Sequence, residues 1–115
     1  FRASAVFALD VEIDVSPNAL NIQSRGTVVT VHTDIVYGYV VGATVFLNGV
    51  LIKSWKADDR GYFVAKFSME EVKTLDGLII GDYNTLTLTG FTINNEAFIG
   101  TQEIKVIDVV PAGKK

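Results

Sequence analysis

Few residues in this 115-residue chain could carry out chemistry. The only histidine, His32, lies in an alternating run that places it on the outer face of a strand. Nucleophilic catalysis needs a histidine oriented beside its nucleophile, and no serine stands in a strained elbow motif. The chain has no cysteine, which excludes disulfides, thiolate zinc sites and cysteine nucleophiles. No glycine-rich loop with a phosphate-binding lysine occurs. We therefore expect a protein that is not an enzyme and uses no cofactor.

Three carboxylates near the start of the chain are weak candidates for a metal site. Asp10, Glu12 and Asp14 alternate with apolar residues, so a single strand would place them on one face, about 6.6 Å apart. A hard cation such as calcium takes six to eight oxygen ligands. Three carboxylates alone offer too few, so we favour a solvated face whose repulsion is relieved by basic residues on neighbouring strands.

Aromatic side chains are candidates for a sugar-binding platform. Trp55 and Tyr62 each share strand parity with a nearby lysine, so both rings would face solvent if the lysines do. Flat apolar rings suit the C–H-rich faces of sugars. Tyr37 and Tyr39 form a weaker pair of the same kind. For Trp55 the alternative, which we favour, is packing in the core of a β-sandwich.

The composition is that of one folded domain. Hydrophobic residues make up 49% of the chain and charged residues 20%, and the net charge is -3. This mild acidity argues against nucleic acid or an anionic membrane as a partner. Residues 35–52 carry no charge, but Gly38, Gly42 and Asn48-Gly49 indicate a loop and a hairpin and not a membrane span.

Alternation of apolar and polar residues predicts seven or eight strands in an antiparallel, immunoglobulin-like β-sandwich. The predicted strands cover residues 9–15, 29–35, 44–47, 50–52, 62–67, 84–89, 97–99 and 101–109. Asn48-Gly49 predicts a type I′ hairpin turn. Residues 68–71 have the spacing of a capping box and predict a short helix that crosses between the sheets. Gly90 is expected to form a β-bulge.

Several segments, in order along the chain, resemble a module of secreted and surface proteins in bacteria and archaea that often adjoins dockerins. They are residues 11–17 (VEIDVSP), 20–28 (LNIQSRGTV), 45–49 (VFLNG), 64–67 (VAKF), 85–90 (TLTLTG) and 100–107 (GTQEIKVI). The resemblance implies an immunoglobulin-like, non-enzymatic accessory or structural role outside the cell or at its surface. It departs from the family at residues 58–61, where relatives often carry a more acidic loop and this chain has only DDRG.

The alternation begins before this resemblance does. Phe1, Ala3, Ala5 and Phe7 already occupy the apolar positions, and an unbroken strand from residue 1 to residue 15 would be about 50 Å long. A domain of this size has a radius of gyration of about 13 Å, so it can hardly pair the full length of such a strand within itself. We therefore divide the chain into an N-terminal extension (1–9), a β-sandwich (10–110) and a tail (111–115).

Two functions from different classes follow. The first is a structural module in which residues 1–8 are donated as a strand to another copy or to a neighbouring domain of a surface protein. Phe1, Ala3, Ala5 and Phe7 would be the interface residues. A remnant of a signal segment or a frayed terminus is the alternative interpretation of this extension. The second function is a carbohydrate-binding accessory module that uses Trp55 and Tyr62, with polysaccharide as its partner.

Overall fold

The alternating runs form two packed β-sheets, as predicted. The computed structural model describes residues 8–110. That part of the chain contains ten strands: β1 (Leu9–Asp10), β2 (Ile13–Ser16), β3 (Ala19–Asn21), β4 (Val28–Val36), β5 (Phe46–Leu47), β6 (Val50–Leu51), β7 (Ser54–Ala57), β8 (Tyr62–Ser68), β9 (Tyr83–Phe91) and β10 (Ala97–Ile107). One α-helix, α1, covers Met69–Lys73, and two 3₁₀ turns cover Tyr37–Tyr39 and Gly42–Thr44.

The strand order is that of an immunoglobulin-like sandwich. One sheet, sheet B, has the order β2-β4-β8-β7; the other, sheet A, has the order β1-β10-β9-β5-β6, with β3 also paired to β10. These correspond to the A-B-E-D and C-F-G orders of immunoglobulin domains. The expected seven or eight strands are ten, because the strand predicted for residues 9–15 is divided into β1 and β2, and because β3 and β7 were not predicted. The two strands predicted for residues 97–109 are one.

The core lies between the inner faces of the two sheets. Because successive side chains point to opposite faces, every second residue of a strand faces the core. In β8 these are Phe63, Ala65 and Phe67, and in β9 they are Leu86 and Leu88. Each of these five residues is fully buried.

Two local predictions are confirmed. Asn48 and Gly49 both have positive φ, 48° and 85°, as a type I′ turn requires. The Asn48 side chain also accepts from Thr87 N at 2.6 Å and donates to Thr85 O at 3.2 Å, which fixes the hairpin against β9. Helix α1 connects β8 to β9 between the sheets, and the hydroxyl of Ser68 accepts from Glu71 N.

The single strand predicted for residues 9–15 is wrong. β1 pairs with β10 in parallel, whereas β2 pairs with β4 in the opposite sheet. The chain crosses between the sheets at Val11 and Glu12, directly over Gly100. A Cβ atom at residue 100 would lie 2.8 Å from Val11 O and 2.6 Å from Ile13 Cγ2, so only glycine leaves room for the crossing.

Gly90 does not form the predicted bulge. It pairs with Phe98 in an unbroken register, and a Cβ atom there would lie 2.6 Å from the Phe98 ring. Its small size therefore serves core packing. The two strands predicted for residues 97–109 are one continuous strand, β10, because Gly100 continues the ladder opposite Leu88. The irregularity in register lies in β4, between His32 and Val36.

Candidate functional site

Trp55 lies at the open edge of sheet B. It is in β7, the outermost strand, opposite the buried Ala65, so its side chain belongs to the inner face. The ring does not enter the core. It rests on Gly42 in the second 3₁₀ turn, where an added Cβ atom would overlap the indole, and 40% of the residue stays exposed. The edge of the sandwich therefore presents a large apolar ring to solvent.

The candidate platform of Trp55 and Tyr62 is not formed. The favoured alternative for Trp55, packing in the core, is not observed either, because the residue is 40% exposed. Tyr62 lies in β8 one residue before Phe63, which faces the core, so Tyr62 belongs to the outer face of sheet B. Trp55 belongs to the inner face, because β7 starts at Ser54 opposite Lys66, and this register brings Trp55 beside Ala65. The prediction from parity is correct for Tyr62, which shares the outer face with Lys66. It is wrong for Trp55, because Lys53 precedes β7 and does not fix the face of Trp55.

Tyr37 and Tyr39, the weaker candidate pair, lie in the first 3₁₀ turn, and their two rings have different surroundings. The Tyr37 ring packs against Phe63, with 6.3 Å between the ring centroids and 30° between their planes. Tyr39 is more exposed, and its carbonyl accepts from Ile93 N at 2.8 Å. The Tyr37 ring therefore packs against the edge of the core, whereas the Tyr39 ring is accessible to solvent.

The three carboxylates near the start of the chain do not share a strand face. Asp10 is in β1 of sheet A, opposite Ile99, and Asp14 is in β2 of sheet B, opposite His32. Glu12 lies in the crossing between them, and its N–H donates to Asp34 Oδ1 at 2.9 Å. Across residues 8–110 no group of three or more histidine, cysteine or acidic side chains is arranged to hold a metal ion.

A shallow depression of about 620 Å³ covers the outer face of sheet B. Its floor is a cross-strand row formed by Asp14, His32, Val64 and Lys56. His32 is exposed there, as its alternation predicts. Asp14 and Lys56 lie at opposite ends of the row, with His32 and the apolar Val64 between them.

The turn beside this depression is fixed by Asp58. Its Oδ1 accepts from Arg60 N at 2.8 Å and from Tyr62 N at 3.0 Å. The hydrogen bond from the Tyr62 amide is the main reason that the pKa of Asp58 lies below its ordinary value, and the Arg60 amide and guanidinium act in the same direction. The carboxylate therefore acts as a structural acceptor for its own loop.

An exposed apolar surface covers the outer face of sheet A at one end. Tyr39 and Val41 pair with Ile93 and Phe91 through the bonds Ile93 N to Tyr39 O (2.8 Å) and Val41 N to Phe91 O (3.0 Å). Phe46 and Leu51 continue this face next to Thr89. These six large apolar residues are all exposed: Tyr39, Val41, Phe46, Leu51, Phe91 and Ile93. We call them the sheet A patch.

The sheet A patch was not predicted from the sequence, although one signal was present. Phe91 shares strand parity with the outward threonines Thr85, Thr87 and Thr89, because Gly90 occupies the inner position. An outward Phe after three outward threonines marks the point where the face becomes apolar. The pairing of residues 39–41 with 91–93 is long-range and leaves no pattern in the sequence.

The four predicted interface residues Phe1, Ala3, Ala5 and Phe7 lie outside the described residues. Comparison with known proteins finds no matching family model, curated protein or solved structure. The resemblance to surface modules therefore stays a prediction. In residues 8–110, moreover, every helix is too short or too polar to cross a bilayer.

Proposed function

We propose that this chain is a non-catalytic structural module of an extracellular or cell-surface assembly, and that residues 1–7 join it to the next copy by β-strand addition. The observation that carries the proposal is the direction of β1. It runs parallel to β10, with Leu9 opposite Phe98 and Asp10 opposite Ile99. β10 begins at Ala97, only one residue before that contact.

A parallel strand extended backwards from Leu9 soon reaches the end of its partner. Ala8 would lie opposite Ala97, and the residue before it would lie opposite Glu96, which belongs to the turn closed by Thr92 N and Glu96 O at 2.8 Å. β10 thus offers no further ladder to the segment before Ala8. Those seven residues would reach about 23 Å as a strand.

Strand addition matches the alternation of this segment. Main-chain hydrogen bonds supply the affinity, and side chains at every second position fix the register. Phe1, Ala3, Ala5 and Phe7 supply apolar side chains on one face, and Arg2, Ser4 and Val6 form the other. Because donor and acceptor are different surfaces, the contact is heterologous and produces open polymers. The extracellular setting rests on the family resemblance.

A pair of matched substitutions tests the proposal. We expect Ala5→Asp to reduce polymer formation at least about tenfold, because it places a carboxylate on the face that becomes buried. Ser4→Asp adds the same charge on the opposite face and should assemble like the unmodified chain. Light scattering at a fixed protein concentration measures both. Equal assembly by a chain that lacks residues 1–7 would refute the proposal.

Carbohydrate binding is the second candidate, and the exposed ring of Trp55 is the observation that favours it. It would have to work without Tyr62, whose side chain lies on the other face of the sheet. The same light-scattering measurement separates the two functions. Strand addition produces large particles in the absence of sugar, whereas a carbohydrate-binding module stays monomeric.

A further inference from the structure

We propose that the acceptor for residues 1–7 is the free edge of β7 (Ser54–Ala57) in a second copy of the chain. This inference rests on the proposed function and specifies where the donated strand binds. β7 is the last strand of sheet B and has a neighbour, β8, on one side. All four of its residues are exposed.

Within residues 8–110, the main-chain groups on the outer side of β7 have no hydrogen-bond partner. Asp58 N donates to Tyr62 O at 2.9 Å, so the main-chain groups of Asp58 face β8. In an antiparallel pair the main-chain groups of successive residues point alternately towards the partner strand and away from it. Residues two and four positions earlier, Lys56 and Ser54, therefore direct their N–H and C=O groups towards β8. The main-chain groups of Trp55 and Ala57 point the other way, where an added strand would bind them.

The other sheet edges of residues 8–110 are closed or short. β2, at the opposite edge of sheet B, has the outward N–H of Val15 bonded to Gln102 Oε1 at 2.7 Å, and Pro17 follows directly. A proline cannot donate to a ladder, so an added strand could not continue there. β1, β3 and β6 contain only two or three residues each. In the part of the chain that the structure describes, β7 is the one four-residue edge whose outward groups have no such cap.

The side chains of β7 complement those of the donor. On its inner face a large residue, Trp55, is followed two positions later by a small one, Ala57. The donor segment offers the reverse order, small then large, at Ala5 and Phe7 when the strands run parallel. A small residue would thus lie beside the indole, and a phenyl ring beside the alanine.

The parallel register also avoids a charge conflict. It places Val6 beside Lys56, whereas an antiparallel strand with Phe1 beside Ala57 would place Arg2 there. Like charges directly opposite each other destabilise a strand pair. Both registers bring Ser4 beside Ser54, on the outer face of sheet B, so this contact can be tested without assuming the direction.

Disulfide cross-linking tests the contact, because the chain contains no cysteine of its own. Residues directly opposite in neighbouring strands have Cα atoms about 5 Å apart, within reach of a disulfide. We expect the double variant Ser4→Cys/Ser54→Cys to form a ladder of trimers and larger species on a non-reducing gel. The matched control is Ser4→Cys/Ser16→Cys, since Ser16 and Ser54 end the same cross-strand row at opposite edges.

The outcomes are distinct. A ladder with Ser54→Cys and only monomers and dimers with Ser16→Cys supports β7 as the acceptor, provided that each single variant stops at dimers. The assignment to β7 is overturned if Ser4→Cys/Ser16→Cys forms a ladder, or if neither double variant forms one. Light scattering of the same variants under reducing conditions reports assembly independently. Polymers without the β7 cross-link leave strand donation standing, whereas absence of polymers in the unmodified chain removes both proposals.

Discussion

The only tryptophan of the chain lies against a glycine that admits no side chain. A Cβ atom at residue 42 would overlap the Trp55 indole and come within 2.6 Å of its Nε1 atom. We therefore expect Gly42→Ala to move the indole into solvent and to lower the free energy of unfolding by about 1–3 kcal/mol. A red shift of the tryptophan fluorescence in the folded protein would report the displacement.

The matched control for this change is Gly38→Ala. Gly38 has nothing within 4 Å of an added Cβ atom, and its φ is not in the left-handed region. The fluorescence of this variant should be unchanged, and its stability should differ by less than about 0.5 kcal/mol. An unshifted spectrum in Gly42→Ala would mean that Trp55 does not rest on Gly42.

Asp58 gives the protein an acid-sensitive turn. Its folded-state pKa is lowered from 3.8, chiefly by the Tyr62 amide. A group with a lowered pKa contributes stability that is complete above its unfolded pKa and is lost as the pH falls through its folded pKa. We expect Asp58→Asn to flatten the fall of the urea midpoint below about pH 4, while Asp59→Asn, one residue away, leaves that fall in place.

At the scale of elements, the crossing from β1 to β2 depends on Gly100. Its Cβ position is taken by Val11 O and by methyl groups of Val11 and Ile13. We expect Gly100→Ala to destabilise the fold by about 1–3 kcal/mol and to speed hydrogen exchange at the Val11 amide, which donates to Ile99 O at 2.9 Å. Thr101→Ala, an exposed neighbour, is the control. Unchanged exchange at Val11 would contradict the role of Gly100.

Elements defined by local chemistry could be predicted, and elements defined by distant partners could not. The Asn48-Gly49 hairpin and the helix capped by Ser68 depend on neighbouring residues, so the sequence reveals both. The division of residues 9–16 into β1 and β2 depends on which strand each part meets, β10 or β4. The apolar alternation continues through the crossing, and it therefore suggested one strand.

At the scale of the whole molecule, the two edges of sheet B explain why the proposed donor could be suggested from the sequence and the proposed acceptor could not. The alternation of Phe1, Ala3, Ala5 and Phe7 is the sequence pattern on which the proposed donor segment rests. The difference between an edge capped by Gln102 and an open edge at Trp55 arises from residues far apart in the chain. No pattern of period two records that difference, so only the structure distinguishes the edges.

The parallel pairing of β1 and β3 with β10 has a mechanical consequence. The chain enters β1 at the end of the sandwich where β10 begins, and it leaves β10 at the opposite end. Tension applied between Leu9 and Ile107 would therefore slide these strands along each other and load their hydrogen bonds in shear, all at once. When two strands are pulled apart from one end, as in an opening hairpin, their hydrogen bonds break one at a time. Rupture under such a load would be governed by the unfolding rate of the domain.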